Sequence, residues 1–154
     1  TTQFIPHTDL DAVTDAVWDD IFQVNLKGAF YCCRAAMPHL TARHGSVVNV
    51  SSVAGRSGQG SSIPYCASKG ALDTLTKSLA RAFGPAVRVN AVAPGPILTR
   101  WLAGKEAHVD KYIEQAPLKR AATADDVADA VLFLATGTTL TTGQIVVVDG
   151  GRTM

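Results

Sequence analysis

Apolar residues recur every three or four positions along the stretch from about Asp15 to His39. This spacing places them on one face and predicts an amphipathic helix. The same spacing predicts a second helix from about Pro64 to Phe83, with proline tolerated in its first turn, and a third from about Ala124 to Ala135. The apolar positions of the first helix are Trp18, Ile21, Phe22, Leu26, Ala29, Phe30 and Cys33.

Short apolar runs between these helices predict strands at residues 46–51, 86–93 and 144–148. Strands that alternate with helices indicate an α/β domain with a parallel sheet. In such sheets, binding sites form beyond the carboxyl ends of the strands. Ser52 and the Pro94-Gly95 turn follow two of the predicted strands, so we expect them at the same edge of the sheet.

Two polar features of the predicted helices need an explanation. Asn25 lies on or beside the apolar face of the first helix, where a buried amide must find hydrogen-bond partners or cost a few kcal/mol. Tyr65 and Lys69 lie four residues apart at the start of the second helix, so their side chains project from one face.

The tyrosine and lysine can act as a catalytic unit. Free tyrosine has a pKa of about 10, and an ammonium roughly 5 Å away lowers it by about two units at an effective dielectric near 20. Ser52, thirteen residues upstream of Tyr65, could hold a substrate oxygen while the phenol moves a proton. The Tyr-x-x-x-Lys spacing also occurs in proteins without catalytic activity, so the neighbouring motifs decide whether this pair is catalytic.

Composition limits the class of protein. The chain has 154 residues, of which 47% are hydrophobic and 18% charged, which predicts one globular domain. The net charge is +1 and no basic block occurs, so neither nucleic acid nor an anionic membrane is an expected partner. The apolar runs are shorter than a spanning helix needs, and no signal peptide is recognised at Thr1. We expect a cytoplasmic protein.

Cysteine and histidine do not suggest a metal site. Three cysteines without CxxC spacing are expected to be buried free thiols in a reducing compartment. Four histidines are scattered, and no pair at four-residue spacing accompanies a carboxylate, so we expect no catalytic metal. These residues are Cys32, Cys33, Cys66, His7, His39, His44 and His108.

A glycine-rich stretch, Gly55–Gly60, has the spacing GxxGxG. A dinucleotide-binding turn has the order GxGxxG and opens a helix, whereas no helix is predicted here until about Pro64. We therefore expect a loop that forms a flexible wall of a substrate pocket.

The order of the motifs resembles the short-chain dehydrogenase/reductase family across nearly the whole chain. They are Asn25 within Val-Asn-Leu-Lys-Gly, Ser52 after Asn-Val-Ser, Tyr65-x-x-x-Lys69, Pro94-Gly-x-x-x-Thr99 and the closing Val-Asp-Gly-Gly151. The resemblance implies a Rossmann-like, doubly wound parallel sheet in a three-layer α/β/α arrangement. It is nearest to the 3-oxoacyl-carrier-protein reductase and the sugar or polyol dehydrogenase branches.

The resemblance also implies roles for four residues. Tyr65 would be the general acid/base, and Lys69 would lower its pKa and hydrogen-bond the nicotinamide ribose. Ser52 would polarise the substrate oxygen, and Asn25 would support a water that links Lys69 to solvent. The reaction implied is reversible hydride transfer between a nicotinamide and a carbonyl or secondary alcohol of a small molecule.

The nicotinamide end of NAD or NADP would lie, by the same resemblance, against the turn after the second predicted strand. Tyr65 and Lys69 would share in its binding. The other residues implied are Pro94, Gly95, the backbone of Ile97 and the hydroxyl of Thr99.

The family's TGxxxGxG turn and its Asn-Asn-Ala-Gly segment are absent from these residues. We therefore expect residues 1–154 to be one unit, the carboxyl-terminal part of a longer dehydrogenase domain. Without an earlier neighbouring strand, the apolar strand Val47–Val50 would lie at an exposed edge of the sheet.

Family members bind substrate with the loop after Ser52 and the segment after Thr99, here residues 100–118. Trp101 and Leu102 could line an apolar pocket or pack against the domain. Two other functions stay open: a non-catalytic binding protein of this fold, and an assembly module that lacks activity. The resemblance further implies a homo-oligomer, a dimer or a tetramer, formed through the long helices.

Overall fold

The computed structural model describes residues 1–102, 104 and 106–154, and the side chains at 101 and 106–108 lie outside the described part. Three parallel strands form one sheet in the order β1 (Ser46–Val50), β2 (Arg88–Pro94) and β3 (Ile145–Val148). Val50 is opposite Val92, and Pro94 is opposite Val148, so the carboxyl ends of the strands meet at one edge. The predicted parallel α/β sheet is confirmed.

Six α-helices connect and cover these strands in the described part of the chain. The first predicted helix is one helical stretch in three pieces, because a π-helical turn at Gln23–Gly28 separates α1 from α2. The second predicted helix is α4, and the third is α6, which runs into a π-helical turn at Phe133–Gly137. The helices are α1 (Asp15–Phe22), α2 (Ala29–Ala42), α3 (Ala54–Ser57), α4 (Ile63–Phe83), α5 (Glu106–Gln115) and α6 (Ala124–Leu132).

The apolar core lies on both faces of β2. One cluster joins Val87 and Val89 to residues of α2 and α4: Cys33, Met37, Leu79 and Ala80. A second cluster joins Val92 to Val127 and Leu134 on the other side. Helices therefore cover both faces of the central strand, as the α/β/α arrangement requires.

Among the described residues, β1 is an edge strand. It pairs with β2 alone, and the side chain of Val50 is 53% exposed. The predicted exposed edge at Val47–Val50 is confirmed. An unpaired apolar edge has free backbone N–H and C=O groups that can add another strand.

Three helical pieces were not predicted, namely α3, α5 and a 3₁₀ turn at Arg100–Leu102. The interpretation of residues 55–60 as a loop is wrong in its first part, because α3 begins at Ala54. At its start, the Ala54 N–H donates to the Ser52 hydroxyl oxygen at 3.2 Å. α5 was missed although Val109, Tyr112 and Ile113 recur at helical spacing, because most of its other residues are polar or charged.

The three cysteines are free thiols, but only two of them are buried. Cys33 faces the core from α2, and burial raises the pKa of its thiol. Cys32 is exposed, because adjacent helix positions point about 100° apart. The prediction of burial is therefore wrong for Cys32.

In the described residues, no helix combines the length and the apolar character needed to span a membrane. The same residues contain no group of three or more His, Cys, Asp and Glu side chains arranged to hold a metal ion.

Candidate active site

Tyr65 and Lys69 lie in the first two turns of α4 and share one face, as their spacing predicts. The Lys69 Nζ lies 5.8 Å from the centroid of the Tyr65 ring. The same Nζ donates a hydrogen bond of 2.9 Å to the carbonyl oxygen of Val50. The lysine thus ties the helix to the carboxyl end of β1, where a site was expected.

The electrostatics of the pair differ from the expectation. Burial raises the pKa of Tyr65, and a hydrogen bond with the Ser52 side chain opposes this rise only in part. Burial likewise lowers the pKa of Lys69, against the opposing charge of Asp73. The expected lowering of the Tyr65 pKa by Lys69 is not observed, because desolvation of the phenol outweighs any attraction from a partly buried ammonium.

Ser52 is placed by backbone hydrogen bonds on either side of it. The Ser51 N–H donates to the Val92 carbonyl at 2.7 Å, and the Val53 N–H donates to the Pro94 carbonyl at 3.0 Å. These bonds continue the pairing of β1 with β2 past the end of the strand. As a result, the Ser52 hydroxyl lies within hydrogen-bonding reach of the Tyr65 phenol.

Gly55 allows the segment after Ser52 to lie directly against α4. A Cβ atom at this position would be 2.6 Å from both the backbone nitrogen of Gly70 and the backbone carbonyl carbon of Lys69. Gly60 is similarly confined, with the Cys66 Sγ 2.8 Å from where its Cβ would lie. Both glycines therefore serve close packing around Tyr65 and Lys69, a role that their spacing did not suggest.

Asn25 is buried in the π-helical turn at Gln23–Gly28. Its Nδ2 donates to the Ser68 hydroxyl at 3.0 Å and to the Thr1 carbonyl at 2.9 Å. Ser68 in turn donates to the Tyr65 carbonyl at 2.8 Å. The amide predicted to need partners has them, and they connect it to the backbone that carries Tyr65.

The turn after β2 joins the same edge of the sheet. Gly95 donates its N–H to the Val148 carbonyl at 3.0 Å, and Ile97 forms a parallel bridge with Ala122. Thr99 is exposed, and its carbonyl accepts from the Leu102 N–H at 3.0 Å. The structure thus brings Pro94 and Gly95 beside Ser52, whereas the described contacts of Thr99 stay within its own segment.

Two residues that sequence reasoning missed lie at this edge. The Tyr112 ring is 3.3 Å from where a Gly95 Cβ would be, and the Tyr112 and Tyr65 phenols are close enough to interact electrostatically. Arg152 stacks on Tyr112, with its guanidinium carbon 3.7 Å from the ring centroid. Arg152 directly follows the closing Val-Asp-Gly-Gly151 motif, and this position was the only feature of the sequence that could have pointed to it.

A cavity of about 470 Å³ lies beside the segment after Ile97. Leu102 contributes to its wall, whereas the Trp101 side chain, the other expected lining residue, is outside the described part. Tyr65 does not line this cavity. The residues around it are Leu98, Thr99, Arg100, Leu102, Val109, Asp110 and Ile113.

The chain is similar to known proteins over almost its full length. A family model described as enoyl-(acyl carrier protein) reductase matches residues 3–153. A protein of Streptomyces violaceoruber named as a ketoacyl reductase of the granaticin polyketide synthase is 49% identical, over 97% of this chain and 61% of that protein. The chain thus spans about three fifths of that relative.

A second relative and a solved structure agree with this match. The short-chain dehydrogenase/reductase homolog YusR of Bacillus subtilis is 45% identical over 84% of this chain and 100% of its own length. The crystal structure of a gluconate 5-dehydrogenase from Burkholderia cenocepacia in complex with NADP and tartrate superimposes with a TM-score of 0.88 at 30% identity. This match covers 99% of this chain and 62% of that one.

The parallel three-layer fold, the motif order and the match over residues 3–153 agree with one another. The chain belongs to the short-chain dehydrogenase/reductase family, whose members use NAD or NADP.

Proposed function

We propose that the complete protein is an NAD(P)(H)-dependent oxidoreductase that interconverts a carbonyl and a secondary alcohol on a small molecule, with Tyr65 as general acid/base. One observation carries the proposal. Ser52 reaches the Tyr65 phenol at the carboxyl end of β1, and Lys69 lies on the same face of α4.

The raised pKa of Tyr65 suits the reductive direction. A phenol that stays protonated at neutral pH can donate its proton to a carbonyl oxygen as that oxygen gains negative charge. The Ser52 hydroxyl donates a second hydrogen bond to the same oxygen and fixes its position. In the oxidative direction Tyr65 must first lose its proton, so alcohol oxidation is favoured by higher pH.

The residues present fit a nicotinamide cofactor. The described hydrogen bonds of Lys69 use one of the three N–H donors of its ammonium, which leaves donors for the ribose hydroxyls. Pro94, Gly95, the backbone of Ile97 and the exposed hydroxyl of Thr99 would hold the nicotinamide end. When bound, the nicotinamide supplies or accepts the hydride at the carbonyl carbon.

In this proposal Asn25 positions Tyr65 and does not itself touch the substrate. Its hydrogen bond to Ser68 fixes the turn of α4 that carries Tyr65. Its place in the π-helical turn also suits the support of a water near Lys69.

Replacement of Tyr65 by phenylalanine tests the proposal. We expect the rate of ketone reduction by NADH or NADPH, followed by the absorbance of the reduced nicotinamide, to fall about 10²–10⁴-fold. The control is Tyr31→Phe, since Tyr31 is an exposed phenol on α2. Equal activity of Tyr65→Phe and the unaltered protein would overturn the assignment.

Residues 1–154 are proposed to be one unit of a larger dehydrogenase domain, because relatives such as the Streptomyces violaceoruber protein are longer. The intact mass of the polypeptide isolated from its native source checks this. We also propose a homo-oligomer in the cytoplasm. Sedimentation velocity measures its state, and a strict monomer at all concentrations would contradict it.

A further inference from the structure

Arg152 is held in a fixed orientation at the rim of the candidate active site. Its guanidinium stacks on the Tyr112 ring. Its Nε donates to the Gln115 Oε1 at 2.9 Å, and one Nη donates to the Gln59 Oε1 at 3.2 Å. Two side chains of α5 and one from the segment after Ser52 thus fix a planar cation that would otherwise be free to rotate.

This cation has no carboxylate counterion in the described part of the chain. Its hydrogen-bond partners are two neutral amide oxygens and the Tyr112 phenol, and no described carboxylate oxygen lies within 4.0 Å of it. Asp149 is nearby in sequence, but its carboxylate accepts from the N–H of Gly151 and from the N–H and hydroxyl of Thr153. A half-buried guanidinium without a counterion can bind an anion.

The remaining donors of Arg152 suit a carboxylate. Of the five N–H groups of the guanidinium, one on Nε and one on an Nη bind the two glutamines, and the Tyr112 phenol takes part in a further hydrogen bond, which leaves two for a ligand. A guanidinium offers pairs of parallel donors in one plane, which match the two oxygens of a carboxylate.

Arg152 is linked to the reacting groups through its contacts with Tyr112 and Gln59. Tyr112, on which it stacks, contacts Gly95 and interacts with the Tyr65 phenol. Gln59 belongs to the segment that follows Ser52. A substrate anchored on Arg152 therefore has one aromatic ring between its anionic end and the site where its carbonyl would meet Ser52 and Tyr65.

We propose that Arg152 is a specificity-determining residue that binds the carboxylate of an oxo acid or hydroxy acid substrate, while Tyr112 and Gln115 hold the guanidinium in place. This inference rests on the proposed dehydrogenase function. It assigns the substrate class that the shared family chemistry leaves open.

The test compares acids with their neutral esters in the complete protein. Acetoacetate and levulinate are each paired with their methyl ester, with NADH or NADPH as reductant. We expect kcat/KM for at least one acid to exceed that of its ester by about tenfold to a hundredfold, the usual effect of a charge-assisted hydrogen bond. In Arg152→Met the preference for the acid should vanish because KM for the acid rises, whereas reduction of the ester should be retained.

Two further variants separate charge from structure. Arg152→Lys should recover part of the preference, since it keeps the charge without the planar pair of donors. Arg81→Met, which removes an exposed cation near the other end of α4, should keep the full preference. Equal loss on acid and ester in Arg152→Met would overturn the proposal and indicate a structural role.

The outcomes also separate this inference from the function on which it rests. If the unaltered protein reduces neutral ketones as well as it reduces the acids, the role of Arg152 is wrong and the dehydrogenase function stands. If it reduces no ketone, the function fails, and ligand-observed NMR with butanoate and butanamide decides the anion site. Selective butanoate binding that Arg152→Met abolishes would support the site, and equal binding of the two would overturn it.

Discussion

Two regions meet at the candidate active site, and they are attached to the fold in different ways. The Tyr65 region, meaning the amino-terminal half of α4, is held by buried contacts: Asn25 with Ser68, Lys69 with the end of β1, and Gly55 against the helix backbone. The segment 96–118 pairs through its backbone at its two ends, Leu98 with Ala122 and Leu118 with Gly150, and between them the side chains of Val109 and Ala116 are buried.

This difference suggests a division of roles, in which the Tyr65 region carries out proton transfer and segment 96–118 determines substrate selectivity. Proton transfer needs donor and acceptor placed to within a fraction of an ångström, which buried backbone contacts provide. The exposed positions of segment 96–118, such as Leu98, can change in sequence without moving the reacting groups, and Arg152 supports the segment by side-chain contacts. Each prediction below tests this division.

Gly55→Ala should have the largest effect on stability. The added methyl group would lie 2.6 Å from backbone atoms of Lys69 and Gly70, so α4 must shift. We expect a loss of about 1–3 kcal/mol in the free energy of unfolding, measured with urea, together with a fall in kcat.

Gly28→Ala is the matched control for that substitution. The nearest atom to its added methyl group is 3.5 Å away, an ordinary contact, so stability should stay the same or rise slightly. Equal effects of the two substitutions would show that the close approach at Gly55 does not fix the Tyr65 region.

A double-mutant cycle between Asn25→Ala and Ser68→Ala should show coupling. The two side chains share a buried hydrogen bond of 3.0 Å, and removal of either one breaks it, although Asn25 keeps its bond to the Thr1 carbonyl and Ser68 its bond to the Tyr65 carbonyl. We expect a coupling energy of about 0.5–1.5 kcal/mol in urea unfolding. Additive effects of the two substitutions would mean that Asn25 is not linked to α4 through Ser68.

Lys69→Met should stabilise the fold while it removes activity. The pKa of Lys69 is lowered in the folded protein, so the folded state is penalised below that pKa, and the penalty disappears as the pH rises past the ordinary value of 10.5. The gain in Tm should therefore be present at neutral pH and shrink towards pH 10.5.

Lys77→Met, which changes an exposed lysine on the same helix, is the control and should leave Tm nearly unchanged. A gain in Tm for Lys69→Met that does not vary with pH would exclude desolvation of the ammonium as its cause.

Leu98→Ser should have the smallest effect on stability. This side chain is 57% exposed at the cavity beside segment 96–118. We expect a change below about 0.5 kcal/mol in the free energy of unfolding, with altered KM for apolar ketones and an unchanged kcat. A fall in kcat like that of Gly55→Ala would break the division between the two regions.

Periodicity predicted the regular elements well where local pattern and tertiary environment agree. The apolar spacing in α4 and the short apolar runs of the strands specify those elements without further information. α3 was not found because a four-residue helix carries little periodic signal, and α5 was overlooked although Val109, Tyr112 and Ile113 have helical spacing. The burial of Cys32 was predicted wrongly because composition does not tell which face of α2 a residue occupies.

The sequence by itself determined the order of the three strands and the long helices and the spacing of Tyr65, Lys69 and Ser52, because covalent geometry fixes which residues share a helix face or follow a strand. Only the tertiary structure decided the sign of the Tyr65 pKa shift, since burial depends on every neighbouring segment. It alone brought Arg152, Tyr112 and Gln59 together, as such contacts join positions far apart in the chain, which no local pattern records.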